Sequence, residues 1–150
     1  MPKKDSVAEC LEFFTKAYPQ STPKNFRTQL GVHFEEFAEM IAALEPASEE
    51  DKMLLHFIGE GIKGTADHLK ASDGIIGLKD RVEFLDAVCD QMVTAVGLGR
   101  HANMDVVGGF KEVNRSNLSK FDDNGDPIFD NNLKVMKGPN YTKPDLKTFV

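Results

Sequence analysis

The stretch Lys79–Gly99, KDRVEFLDAVCDQMVTAVGLG, decides how this chain is read. At about 100° per residue its three acids, Glu83, Asp86 and Asp90, fall within about 60° of arc on one side of a helix. Val82, Leu85, Val88, Met92, Val93 and Val96 occupy most of the other directions. A helix apolar on nearly every side is expected to be buried, so its acids cannot be only a solvated face. Stacked like charges repel and burial adds a desolvation cost; a divalent cation offsets both.

Working outward, helical periodicity and stop signals predict four more helices, for an all-α fold. The first covers about Ser6 to Ala17 and stops before Pro19. The second opens after Thr22-Pro23, a cap with a first-turn proline, and runs to Leu44. The third starts at Ser48, where Glu49, Glu50 and Asp51 oppose the helix dipole, and reaches Leu69 or Lys70 across Gly59, Gly61 and Gly64. After a loop at 72–78 comes the quoted helix, and the fifth covers about Asp105 to Lys120. The expected architecture is one domain, residues 1–150: a bundle of four to five helices over about 6–120 and an irregular tail over 121–150. Within the tail, Asn132-Leu133-Lys134-Val135 is placed to fold back as a short hairpin.

The 150 residues are 41% apolar and 28% charged, the balance of a soluble globular protein. No apolar run reaches the roughly 18 residues of a membrane span. The start, Met1-Pro2-Lys3-Lys4-Asp5, leads into an amphipathic segment rather than a signal-peptide core, which gives a cytoplasmic expectation. Cys10 and Cys89 have no metal or redox spacing and are expected to be reduced core residues. The net charge of −6 argues against nucleic acid as a partner. It leaves open a polyphosphate met through carboxylate-bound cations.

A second acidic group, Glu35, Glu36 and Glu39, lies on the second helix, with Glu36 and Glu39 on adjacent turns of one side. Spacing of this kind is common, and Glu9 and Glu12 share it on a face expected to be solvated. Three other patterns fail on context. Gly97-Leu98-Gly99-Arg100-His101-Ala102 closes a helix instead of joining strand to helix, so it is no dinucleotide fingerprint. Asp122, Asn124 and Asp126 resemble a calcium loop, but Pro127 and Leu133 stand where glycine and glutamate are needed. His33, His56, His68 and His101 form no ExxH pair, which counts against a di-iron bundle.

Glu36-Phe37-Ala38-Glu39 and Glu83-Phe84-Leu85-Asp86, with Asp90 one turn on, form an ExxE and ExxD pair. Further on stand Glu112-Val113-Asn114-Arg115-Ser116-Asn117-Leu118-Ser119-Lys120-Phe121, then Lys137-Gly138-Pro139-Asn140-Tyr141 and Pro144-Asp145-Leu146. From about Arg27 to its end the chain resembles the all-α nucleoside triphosphate pyrophosphohydrolases, the MazG-like and phosphoribosyl-ATP pyrophosphohydrolase-like group, in its phage-type form. The resemblance implies Mg²⁺, with Mn²⁺ a possible substitute, held by carboxylates on a triphosphate. A metal-activated water then releases a nucleoside monophosphate and pyrophosphate.

The acids carried over are Glu36, Glu39, Asp86 and Asp90, with Glu83 ranked third on its helix. Two registers stay open: Asp86 with Asp90, or Glu83 with Asp86 assisted by Asp90. Arg115, Lys120 and Lys137 are the implied charge partners of the phosphates, and Asn117, Asn140 and Tyr141 the hydrogen-bonding candidates. The resemblance also implies a homodimer or homotetramer, and the apolar fourth helix points the same way. The alternatives are a nucleotide- or metal-binding regulatory module with little turnover, or a phosphoribosyl-ATP pyrophosphohydrolase type of activity. Base and sugar preference are not legible.

Overall fold

The structure, a computed structural model, describes residues 5–150. The charged start at residues 1–4, on which the leader reading rests, lies outside them. The order is all-helical: α1 (Ser6–Ala17), α2 (Pro23–Ala42), α3 (Glu49–Ala71), α4 (Arg81–His101) and α5 (Val106–Leu118), then a short 3-10 turn at Lys147–Phe149. Each start has a chemical cause. The carboxylates of Asp5, Asp80 and Asp105 and the hydroxyls of Thr22 and Ser48 accept from the first free backbone N–H groups of their helices. At α2 the Asn25 side chain also accepts from the Thr22 N–H, closing a capping box. α4 ends at His101, and two residues on Asn103 takes the left-handed conformation (φ 60°) while the Met104 N–H donates to the Gly99 carbonyl.

Two compact units make up the chain: residues 20–76 with 129–134, and residues 5–19, 77–128 and 135–150. The first unit is the α2–α3 hairpin with one loop docked on it. Gly31 lets the helices meet, since a Cβ there would lie 2.8 Å from both the Ala66 carbonyl and Lys70 Cγ. Ala38, Ile41, Ala66 and Leu69 fill the seam. Arg27 and Thr28 are buried on α2, and both are satisfied by backbone carbonyls. Arg27 Nε donates to Leu69 O and its Nη1 to Gly74 O, and the Thr28 hydroxyl donates to Asn132 O.

The second unit centres on Phe13, Ala17 and Phe121, with Phe14, Tyr18, Leu118 and Val135 around them. The Phe13 and Phe121 rings stack with centroids 5.4 Å apart. Buried Asn114 on α5 donates from Nδ2 to Ser6 O at 2.8 Å, fixing α1 to α5. Gly99 brings α4 against α5, because a Cβ there would collide with Val106.

The tail contains the same turn twice. Asp122 accepts on its carboxylate from the N–H groups of Asn124 and Asp126, and Asp130 does the same for Asn132 and Lys134. In each turn the fourth residue has positive φ, Gly125 at 82° and Leu133 at 62°. The hairpin expected near 132–135 is present as a single bridge, Phe129 with Val135, closed by Met136 N–H to Ile128 O. The calcium-like Asp122 therefore serves its own turn.

Two expectations need correction. α4 has no buried residue: Val82 is 76% exposed, Val93 68% and Leu85 63%. The periodicity reported apolarity correctly, but nothing in the single chain covers it. Cys89, on the same helix, is exposed rather than in the core, while Cys10 is half-buried and burial pushes its thiol up. Among the described residues no helix is long and apolar enough to cross a membrane.

Candidate functional site

The two acidic motifs stand on different units. Glu36 and Glu39 lie on exposed turns of α2 in the first. Glu39 borders a hollow of about 390 Å³ between α2 and α3, shared with His56, Glu60, Lys63 and Asp67. Glu83, Asp86 and Asp90 lie on α4 in the second unit, all exposed. Among the described residues, Glu39, Glu83, Asp86 and Asp90 enter no ion pair. Their donor set is all carboxylate oxygen, the chemistry that suits Mg²⁺ or Mn²⁺. No three acids, histidines or cysteines among the described residues are gathered to hold an ion, so the fit is one of donor chemistry alone.

Other acids have visible structural tasks. Glu35, next to the α2 motif, is bonded by Lys70 Nζ at 2.7 Å and Lys134 Nζ at 2.8 Å. Partial burial pushes its carboxyl up, but the bonds and charges of Lys134 and Lys70 outweigh this and hold it below the usual range. Burial alone would lower Lys70, yet Glu35 and Asp67 raise it. Glu35 thus ties α2 to α3 and to the docked loop. Of the look-alike pair on α1, Glu12 pairs with Lys16 at 3.4 Å.

The phosphate-binding candidates form part of a strap across α5. Arg115 grips Glu112 with two bonds, Nε to Oε2 at 2.8 Å and Nη2 to Oε1 at 2.7 Å. Its guanidinium also reaches the Thr142 hydroxyl and the Lys143 carbonyl. Glu112 accepts in addition from the Asp145 N–H at 2.9 Å; the Arg115 bond and this one hold its carboxyl down at about 2. The Ser119 hydroxyl accepts from the Thr142 N–H, and Gly138 N–H donates to Lys120 O. A Cβ at Gly138 would collide with that carbonyl, so only glycine allows the crossing.

Lys137 Nζ lies 4.9 Å from the centre of the Tyr141 ring, a cation–π contact. Asn140 donates to the Asp123 carboxylate at 2.7 Å. Lys120 Nζ lies 5.8 Å from the Phe13 ring centre, and Asn117 is half-buried on α5. Arg115, Lys120, Lys137, Asn140 and Tyr141 are therefore ordered by the protein itself, in the unit that carries α4.

Sequence reasoning missed the residues that build these supports: Arg27, Thr28, Glu35 and Lys134 in one unit, Glu112, Asn114 and Ser119 in the other. A usable signal existed for Glu112 and Arg115, whose i, i+3 spacing is that of a helix ion pair. None existed for Thr28, whose acceptor is 104 positions away.

No family model, curated protein or solved structure matches this chain.

Proposed function

We propose that the chain is a cytosolic Mg²⁺-dependent nucleoside triphosphate pyrophosphohydrolase of the MazG-like kind. The observation that carries this is the set of exposed carboxylates without an ion pair among the described residues, Glu39 on α2 and Glu83, Asp86 and Asp90 on α4, beside acids such as Glu35 and Glu112 that are fully engaged. Glu39 closes the ExxE motif and Glu83 and Asp86 bound the ExxD motif, with Asp90 one turn on. A divalent cation on carboxylates of this kind, Glu36 and Glu39 on α2 or Asp86 and Asp90 with Glu83 on α4, would supply charge neutralisation and a water of lowered pKa.

In the reaction a water oxygen bonds to the α-phosphorus and the bond from that atom to the α–β bridging oxygen breaks. Nucleoside monophosphate and pyrophosphate leave. The chain's own part is positioning and charge stabilisation. Arg115 holds the strap in register, so that Lys120 and Lys137 offer positive charge and Asn117, Asn140 and Tyr141 offer hydrogen bonds to phosphate or sugar.

The test is incubation of purified protein with each nucleoside triphosphate and Mg²⁺, assaying pyrophosphate and inorganic phosphate separately. Pyrophosphate release that disappears with chelator and with Asp86→Asn supports the reading. Ligand-dependent thermal stabilisation without pyrophosphate points to a binding module instead, and no response to any nucleotide or cation rejects both.

A further inference from the structure

The hollow between α2 and α3, about 390 Å³, falls within the range of roughly 300–1,000 Å³ usual for small-molecule sites. Small side chains open it: Ala38 and Ala42 of α2 and Gly59 and Ala66 of α3 line the gap, and Ile41 and Leu55 add apolar surface. His56, Glu60, Lys63 and Asp67 fall within about 60° of arc on the side of α3 that borders it. Three acid–lysine pairs stand at i, i+3 along this helix, the spacing of a helix ion pair. Glu49 closes on Lys52 at 3.6 Å and Asp67 on Lys70 at 3.2 Å. Glu60 and Lys63 do not close, and among the described residues neither enters any ion pair.

We propose that this hollow seats the nucleobase of the substrate and that the open pair reads guanine, Lys63 donating to O6 and Glu60 accepting from N1–H and the N2 amino group. The inference rests on the pyrophosphohydrolase reading, which gives Glu39, on the same rim, to the cation that meets the triphosphate. Guanine presents one acceptor beside two donors on a single edge. A lysine and a carboxylate one helical turn apart match that order with charge-assisted bonds, two of them to one carboxylate. Adenine turns its amino donor toward Lys63 and a ring acceptor toward Glu60, and satisfies neither. Uracil and thymine offer one N–H between two oxygens, and cytosine a single amino group. A polar group left unpaired by the wrong base is what gives such a site its selectivity. The apolar walls take the faces of the ring, and His56, one turn before Glu60, supplies a second ring to stack on it. Glu60 and Lys63 are exposed, so the expected preference is about tenfold, below that of a sealed site.

Two measurements on the full chain test it. Calorimetry with the four nucleoside monophosphates needs no turnover, and guanosine monophosphate should bind about tenfold tighter than the adenosine, cytidine and uridine forms. With the triphosphates and Mg²⁺, kcat/KM for pyrophosphate release should favour guanine by a similar factor. Glu60→Ala and Lys63→Met should each bring the four bases within about threefold of one another, raising KM for the guanine substrate more than they lower kcat. Both should keep the far-UV helical signal; should either lose it, the shape-keeping Glu60→Gln decides by the same criterion. Monophosphates bound without preference, equal release from all four triphosphates, or a guanine preference that survives the substitutions would each overturn the base assignment and leave the hydrolase reading in place. Guanine-selective binding that both substitutions remove, with no pyrophosphate from any triphosphate, would instead overturn the hydrolase reading and uphold the base site.

Discussion

Replacing Glu35 by glutamine tests whether the first unit is held by charge or only by its apolar seam. The carboxylate side chain is 27% exposed, its partner Lys70 14% and Lys134 42%. A hydrogen bond to a charged group contributes roughly 1.5–3 kcal/mol when sheltered, and partial exposure of the Lys70 pair discounts this to about 1–1.5. The Lys134 pair, closer to solvent, is worth about 0.5 kcal/mol. Glutamine retains shape and one acceptor, so Glu35→Gln should cost about 1.5 kcal/mol in urea unfolding, with the slope unchanged. Double-mutant cycles with Lys70→Met and Lys134→Met should give couplings near 1 and 0.5 kcal/mol, in that order. A Glu35→Gln protein within about 0.3 kcal/mol of wild type, or a larger coupling to Lys134 than to Lys70, would refute the assignment. On the proposed function, the same variant should release pyrophosphate within a few-fold of wild type, because Glu35 is engaged by lysines.

Glu39→Gln and Asp86→Asn should each abolish pyrophosphate release, while the metal-free melting temperature stays level or rises, since each removes one charge from a repulsive group. Turnover near wild type in either would remove that residue from the site. Gly138→Ala should destabilise the protein by about 1–3 kcal/mol, because its methyl meets the backbone of Lys120 rather than a movable side chain; thermal melting checks it. Glu112 has its pKa lowered from 4.5 to about 2, so its contribution is complete above pH 4.5 and is lost as pH falls toward 2. Carboxyl NMR should find its midpoint near 2, and a midpoint near 4.5 would dissolve the strap.

Helix positions were legible because their signals are local. Thr22-Pro23, Ser48 with its three acids, and the aspartates at 5, 80 and 105 each sit beside the backbone groups they cap. The covering of α4 was not legible, since periodicity states how apolar a face is and not what lies on it. Cys89 was misplaced for the same reason. The acidic motifs were legible as spacing, but spacing treats Glu35 and Glu36 alike. Only the positions of Lys70 and Lys134 separate the tied carboxylate from its neighbours. Arg27 and Thr28 give no local signal, because their acceptors, Leu69 O, Gly74 O and Asn132 O, lie 42 to 104 positions along the chain. Residues 129–134 of the tail belong to the α2–α3 unit, while 137–145 are tied to α5, contacts too distant in sequence to be read from composition. Truncation after Phe121 therefore removes supports from both units.

The threading of the chain also sets an order in time. During synthesis α2 and α3 emerge consecutively, and their hairpin needs no later residue except the loop at 129–134. Helix α1 emerges first but waits longest: its partner Asn114 follows Ser6 by 108 positions, and Phe121 follows Phe13 at a similar interval. Until α5 leaves the ribosome, Phe13, Phe14 and Tyr18 have no core to enter, and such unsatisfied apolar segments are what chaperones and misassembly act on. Nascent chains arrested before position 114 should carry a protected α2–α3 hairpin and a protease-sensitive α1, and α1 should become resistant only once the tail is free.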